Sequence, residues 1–290
     1  MAKQLRISEF LLAVEGLALA RNVFSGTDEH TDARLAEIKE IFEALAAPEA
    51  LENSSVRTNE LDVDAGYAQW ASAYDEVTNP LVEVEEKALR EVLWSLPAGN
   101  AVDLCCGTGR VTELLRDLGH RVRGFDRSAR MLDVARSKNS DIEYELRQVG
   151  GQQHALPRDH DLVTCCLALT HFADLSAPMT EIASLLRPGG IAVLSDLHPY
   201  FVTLDGQAFF NGPDETAPWI RNHVHHVSDY LRAFRASGLQ VVDCREVVPN
   251  DGEGPMQSLV GMLRPEASRA AYLGIPNVLI WVVQKVEART

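Results

Sequence analysis

Ala101-Val-Asp-Leu-Cys-Cys-Gly-Thr-Gly109 is the stretch whose reading decides the fold. An apolar, strand-like run ends in the acid Asp103. A turn carrying Gly107 and Gly109 then opens into an amphipathic segment, Arg110 to Leu118. Glycine is needed where backbone approaches a ligand closely or takes a positive φ. The helix that follows points its first N–H groups at the same place. Strand, glycine turn and helix in this order make the nucleotide-binding corner of an open α/β sheet. The dinucleotide pattern Gly-x-Gly-x-x-Gly fails, because Thr112 stands at its third glycine position. A phosphate loop would need Gly-Lys-Ser/Thr, which this stretch lacks. What remains is a second acid, Asp126, closing the apolar run Val122 to Phe125, where it can accept hydrogen bonds from ribose hydroxyls. Asp103, with no pyrophosphate to repel, can sit near a positively charged ligand.

Outward from this corner the chain alternates strand and helix, as a doubly wound sheet requires. The patterns predict strands at about 100–105, 121–126, 143–148, 161–166 and 190–196, with helices near 110–118, 128–137 and 178–186. Ser128 precedes an apolar-periodic run and is an N-cap candidate. Leu239 to Val248 and Val278 to Val286 supply two further strands, seven in all.

Residues 8 to 47 read as helices, with Phe10, Leu11, Val14, Leu17 and Ala18, then Leu35, Ile38, Ile41, Phe42 and Leu45, at helical spacing. Residues 1–60 are thus an N-terminal helical extension, a lid or an oligomerisation element, and 61–290 the α/β domain. A helical pair this apolar needs another surface to pack on, which a homodimer would provide. Two long connections, about 198–227 and 249–276, are predicted as functional insertions, since long loops in compact domains usually are.

Composition sets the outer bounds. The net charge of −15 argues against a nucleic-acid partner, which needs clustered Lys and Arg. No apolar run approaches the roughly 20 residues of a membrane span, so no membrane partner is expected. Glu9 and Glu15 interrupt the first apolar stretch, which argues against a signal peptide and for a cytoplasmic location. The five cysteines show no metal-ligand spacing and read as small buried hydrophobes in a reducing compartment. His223, His225 and His226 lack a fourth ligand, so no metal is expected.

The chain resembles the class I S-adenosylmethionine-dependent methyltransferases, specifically their small-molecule, specialised-metabolism branch. The resemblance rests on Asp103 to Gly109, Gly124-Phe-Asp126-Arg-Ser128, Met131-Leu132, Ala155-Leu156-Pro157, Asp161 to Cys166, and Leu186-Arg-Pro188-Gly-Gly190, in order and in register over about 99–196. It implies a Rossmann-like, doubly wound, mostly parallel sheet of seven strands, the last antiparallel beside the fifth. It also implies S-adenosylmethionine as cofactor, S-adenosylhomocysteine as its product, and a small-molecule acceptor.

Carried onto this chain, the resemblance places Tyr74, Asp103, Cys105, Gly107, Gly109, Asp126, Arg127, Met131, Gln152, Gln153 and Leu167 at the cofactor. Gly107 and Gly109 admit the methionine part and ribose, Asp126 takes both ribose hydroxyls, and Met131 packs on the adenine. Gln152 replaces the family's adenine-binding Asp and can still accept through its amide oxygen. Cys105 replaces a glycine, where a small residue suffices. His171 and His198 are the acid/base candidates, with Asp196 orienting His198. Tyr200, Phe201, Trp219 and His226 are candidates for the acceptor wall, the aromatic residues of 198–227 roofing a partly aromatic or polycyclic acceptor. Oxygen is the expected acceptor atom and carbon the next. A non-methylating cyclase on this fold and a non-catalytic S-adenosylmethionine-binding protein are the competing readings.

Overall fold

Apolar runs one strand long, separated by amphipathic helices, force a layered structure: the runs pair side by side and the helices cover both faces. The computed structural model describes residues 3–45, 55–76, 79–151 and 157–286. In chain order they form β1 (Lys3–Arg6), α1 (Ile7–Asn22), α2 (Asp28–Leu45), β2 (Ser55–Thr58), β3 (Glu60–Leu61), α3 (Val63–Trp70) and α4 (Pro80–Trp94). The central part follows as β4 (Asn100–Leu104), α5 (Arg110–Asp117), β5 (Arg121–Asp126), α6 (Ala129–Lys138), β6 (Glu143–Leu146), β7 (His160–Cys166), α7 (Ser176–Leu185) and β8 (Leu186–Leu197). After it come α8 (Pro199–Thr203), β9 (Ala208–Phe209), β10 (Trp219–Ile220), α9 (Val227–Ala236), β11 (Leu239–Val247), α10 (Leu259–Leu263), α11 (Pro265–Tyr272) and β12 (Val278–Lys285).

Seven strands make the main sheet, in the order β11-β12-β8-β7-β4-β5-β6. β4 to β8 run parallel, and β12 lies antiparallel between β8 and β11, as the resemblance implies. Strand order reverses at β4, which has β5 on one side and β7 on the other, so the crevice for a ligand opens at their carboxyl ends. On one face Phe125, Val163 and Leu194 pack with Met179 and Ile182 of α7 and Tyr230 and Phe234 of α9. On the other, Leu162, Val193 and Ile280 meet Leu89 and Leu93 of α4 and Leu115 of α5. Each fully buried leucine contributes about 1.5–3 kcal/mol, which fixes the strand ends that carry the site.

The N-terminal region docks on its own chain. β1 pairs antiparallel with β2, and Val14 and Ala18 of α1 pack against Ala267 and Ala271 of α11, inside the 249–276 connection. Arg21 donates to the carbonyl of Ala271 at 2.8 Å, near the C-terminus of α11, where a cation is favourable. The apolar faces read from the sequence are only half used: Phe42 is 59 % exposed and Leu35 51 %.

The 198–227 connection is not the aromatic loop the sequence suggests. β10 pairs parallel with β3 and antiparallel with β9, giving a small third sheet. Strand alternation then sends neighbouring side chains to opposite faces. Ile220 is buried against Gly66 of α3 and Phe210 stacks on Trp70 at 4.8 Å, while Phe209 is 61 % exposed.

A buried charge cluster joins the two helices to each other and, through Arg264 at 3.5 Å from Glu37, to the start of α11. Glu15 and Arg34 are both almost fully buried, 3.6 Å apart, and Arg34 also pairs with Glu37 at 2.8 Å. Burial, with Glu37 alongside, pushes the Glu15 carboxyl from 4.5 up to about 8. The folded state therefore holds a proton that the unfolded chain releases above about pH 4.5, so folding weakens as pH rises from there to about 8. Glu15→Gln abolishes this dependence. Thermal unfolding of the variant and wild type should coincide near pH 4.5 and diverge towards pH 8, the variant being more stable by about 2–4 °C per kcal/mol relieved.

Candidate active site

The corner between β4 and α5 needs three left-handed residues within five: Cys105 (φ 55°), Gly107 (φ 55°) and Gly109 (φ 88°). A Cβ at Gly107 would meet nothing within 4 Å, because that side of the backbone opens into the cavity. A Cβ at Gly109 would come within 2.5 Å of Tyr144 Oη, so this glycine allows close packing on β6. Cys105 is a costlier replacement than a small side chain suggests, since a left-handed L-residue costs about 1–2 kcal/mol.

Two acids organise the loops. Asp126 accepts from the Gly107 N–H at 2.9 Å and from the Ser128 N–H at 2.7 Å, so one carboxylate ties the β4 loop to the β5 loop. Burial raises its pKa, and the two backbone donors oppose that rise. Asp103 accepts from Thr112 Oγ1 at 2.6 Å and Thr164 Oγ1 at 2.7 Å, joining β4 to α5 and β7. Thr112, which breaks the dinucleotide pattern, is therefore this acid's partner. Burial lifts Asp103 to about 6.

Over the crevice lies the segment from Val63 to Asp75. Arg127 forms an ion pair with Asp64, and Asp75 accepts from Thr108 Oγ1 at 2.8 Å and Lys138 Nζ at 2.9 Å. The resulting cavity is lined by Tyr74, Asp103, Cys105, Gly107, Asp126, Arg127, Met131, Leu167 and His171 among the residues singled out in the sequence. Gly109 lies beneath it, against Tyr144. Gln152 and Gln153 lie outside the described residues. His171 Nδ1 is 3.0 Å from the Arg221 carbonyl and its Nε2 is 2.7 Å from Tyr67 Oη. Burial lowers its pKa, favouring neutral imidazole.

His198, Tyr200, Phe201, Trp219 and His226 do not reach the cavity. His198 caps α8, accepting from the Tyr200 N–H at 3.2 Å, and its Nε2 lies 3.0 Å from Glu246. Asp196 does not orient it: that carboxylate accepts from Tyr230 Oη at 2.7 Å. Tyr200 is 40 % exposed, and Phe201 lies beside Tyr272 on the α8 side. Trp219 is on the outer face of the small sheet, under the Arg221 guanidinium at 5.3 Å. His226 opens α9, its N–H donating to Asp229 at 2.8 Å.

Sequence reasoning missed Tyr67, Arg110 and Phe172 as lining residues. Arg110 follows Gly109 directly, and that adjacency was the available signal. Its Nη2 pairs with the buried Glu85, while its Nη1 makes no hydrogen bond and lies 4.0 Å from a Glu86 carboxylate oxygen.

Residues 102–194 match the methyltransferase-domain family. A ubiquinone biosynthesis O-methyltransferase of Xanthomonas euvesicatoria pv. vesicatoria is 29 % identical over 206 residues, covering 66 % of this chain and 84 % of its own. Other relatives of that description are spanned over 66 % or 54 % of their length. An S-adenosylmethionine-dependent methyltransferase from Mesorhizobium loti superposes with TM-score 0.53 at 25 % identity, over 69 % of this chain and 97 % of its own. DhpI in complex with S-adenosylhomocysteine (SAH) has the same fold, with TM-score 0.55 at 20 % identity over 77 % of this chain and 95 % of its own.

The chain is a class I S-adenosylmethionine-dependent methyltransferase. S-adenosylmethionine is its cofactor, and the cavity fits that group: the open side of Gly107 admits it, and the Asp126 acid lines the same cavity. Among the described residues of this methyltransferase no group of metal ligands occurs, and no helix is long and apolar enough to cross a membrane.

The tight seat of Gly109 is directly testable. Gly109→Ala adds both a contact with Tyr144 Oη and a left-handed alanine, and should lose about 2 kcal/mol or more in denaturant unfolding. Tyr144→Phe alone should be nearly neutral, because that hydroxyl has no hydrogen-bond partner. The double variant should regain the contact part and keep a deficit of about 1–2 kcal/mol.

Proposed function

We propose that the enzyme methylates a hydroxyl oxygen of a small, partly aromatic molecule, with His171 as the ultimate proton acceptor. The observation that carries this reading is the meeting of Asp126 and Gly107 with Tyr67 and His171 in one cavity. The relatives named as O-methyltransferases support oxygen over carbon, and their part in ubiquinone biosynthesis supports a phenolic acceptor.

In this reading Asp126 receives the ribose hydroxyls, Met131 packs on the adenine, and Arg110 with Tyr74 faces the carboxylate end. Bound S-adenosylmethionine supplies a methyl group on a positively charged sulfur. The chain supplies position, dryness and a proton acceptor. Val63, Leu167, Ala168 and Phe172 give the acceptor an apolar wall. The Val63–Asp75 segment, held by Arg127, Thr108 and Lys138, keeps water from the reacting atoms.

Titration calorimetry with SAH tests the cofactor half. Wild type should bind, and Asp126→Ala should weaken binding about 100-fold, the effect of losing two hydrogen bonds to a charged group. Equal affinity in both proteins would place the ribose elsewhere.

A further inference from the structure

We propose that Tyr67 is the residue that takes the acceptor's proton, passing its own to His171, and that the acceptor is a neutral phenol or catechol. This rests on the O-methyl-transfer reading above. The argument begins with the occupancy of the imidazole. A backbone carbonyl only accepts, so the contact between Nδ1 and the Arg221 oxygen, at 3.0 Å, places a hydrogen on Nδ1. In the neutral ring Nε2 then carries the lone pair, and Tyr67 Oη, 2.7 Å away, donates to it. Neither nitrogen is left for an acceptor. Tyr67 lines the same cavity, and its oxygen keeps lone pairs that can accept from an incoming hydroxyl.

The relay is held at both ends by the small third sheet. Gly66, next to Tyr67, sits so close to Ile220 that a Cβ would fall 2.4 Å from its Cγ1. Arg221 follows Ile220, and while its carbonyl orients His171 its guanidinium pairs with Glu60 through two bonds of 2.7 Å. The Tyr67 ring is stacked on Trp70 at 6.0 Å and meets His171 edge-on at 5.4 Å. The geometry is therefore set before any acceptor arrives.

The step balances without a further reagent. As the acceptor O–H proton moves to Tyr67 Oη, the phenol proton moves to His171 Nε2. The acceptor oxygen forms its bond to the methyl carbon while the carbon–sulfur bond breaks and its electron pair stays on sulfur. The positive charge that began on sulfur ends on the imidazolium, which returns its proton to solvent after product leaves. Burial disfavours both tyrosinate and imidazolium, so the two transfers run together with methyl transfer. The cavity favours an uncharged acceptor, since Arg127 is paired with Asp64 and Arg110 with Glu85 beside the cofactor's carboxylate end, which leaves no cation for an anionic acceptor.

The test uses the full-length enzyme, labelled S-adenosylmethionine and a panel of phenols and catechols that includes 4-nitrocatechol, with SAH affinity measured in parallel. Tyr67→Phe should lower kcat about 100-fold or more while leaving SAH affinity within about twofold. His171→Gln should do the same, and the double variant should fall no further, as members of one unit do. Wild type should lose activity at acid pH and show a curved dependence of rate on deuterium fraction, from two protons in flight, and Tyr67→Phe should lose that curvature. A Tyr67→Phe enzyme within about threefold of wild type, beside an inactive His171→Gln, would overturn the relay in favour of direct contact with His171. Methylation of no phenol by an enzyme that binds SAH would overturn it too. Failure to bind SAH at all would instead strike the reading of the cofactor site.

Discussion

The carboxylate of Asp126 is the constraint on which the site depends. One oxygen holds the Gly107 N–H and the other the Ser128 N–H, so two loops leaving adjacent parallel strands are fixed to each other. Without it the glycine turn, which has no side chain of its own at Gly107, would be free to sample the wide conformational range open to glycine. Burial makes the acid costly to ionise, and the backbone donors make ionisation possible. A buried acid satisfied on its inner side by the backbone is poised to accept further hydrogen bonds on its open side. The first acid, Asp103, differs because both of its oxygens are taken by threonine hydroxyls. Both acids line the crevice, but only Asp126 takes its bonds from the backbone of two loops.

Around this core, charge is arranged in closed pairs. Arg110 meets Glu85, Arg127 meets Asp64, and Lys138 meets Asp75. Two of these pairs tie the covering segment to the sheet, so they act as fasteners, and their partly exposed setting makes each worth little in stability alone. Their effect is geometric: they set where Tyr67 lies relative to His171. The small sheet does the same from the other side. Three short strands from distant parts of the chain bring the Arg221 carbonyl, α3 and the cavity wall into one unit.

How much of this was legible follows from the range of the interactions. Gly107, Asp126 and the alternation of strands and helices are local statements, written in contiguous strand–turn–helix stretches, and reading them needs no knowledge of distant contacts. Tyr67 could not be found that way, because its partner is 104 positions away. The aromatic residues after β8 show the opposite failure. Phe209 and Phe210 are adjacent, yet only Phe210 turns inward, and no periodicity in so short a strand says which face is buried. His198 did carry a readable signal: a polar residue before Pro199 is the mark of a helix start, and the structure uses it so.

Backbone strain reaches this crevice at two places. Cys105 and Leu167 are non-glycine residues in the left-handed region, at φ 55° and 51°, and they stand just beyond the carboxyl ends of neighbouring strands β4 and β7. Each is held by the sheet next to it: the Cys106 N–H reaches the Phe125 carbonyl at 3.0 Å, and the Leu167 N–H reaches the Ser195 carbonyl at 2.9 Å. Such conformations persist only where the surroundings over-determine them. Here the turns swing both chains sharply out of the sheet, which opens the space between them that an extended continuation of β4 and β7 would close. The buried apolar core beneath, with Leu104, Val163 and Leu194 at 0 % exposure, supplies the rigidity that holds those turns. Stability in the sheet is thus converted into an open, pre-shaped corner, and a glycine at position 105 would relax the turn without altering its direction.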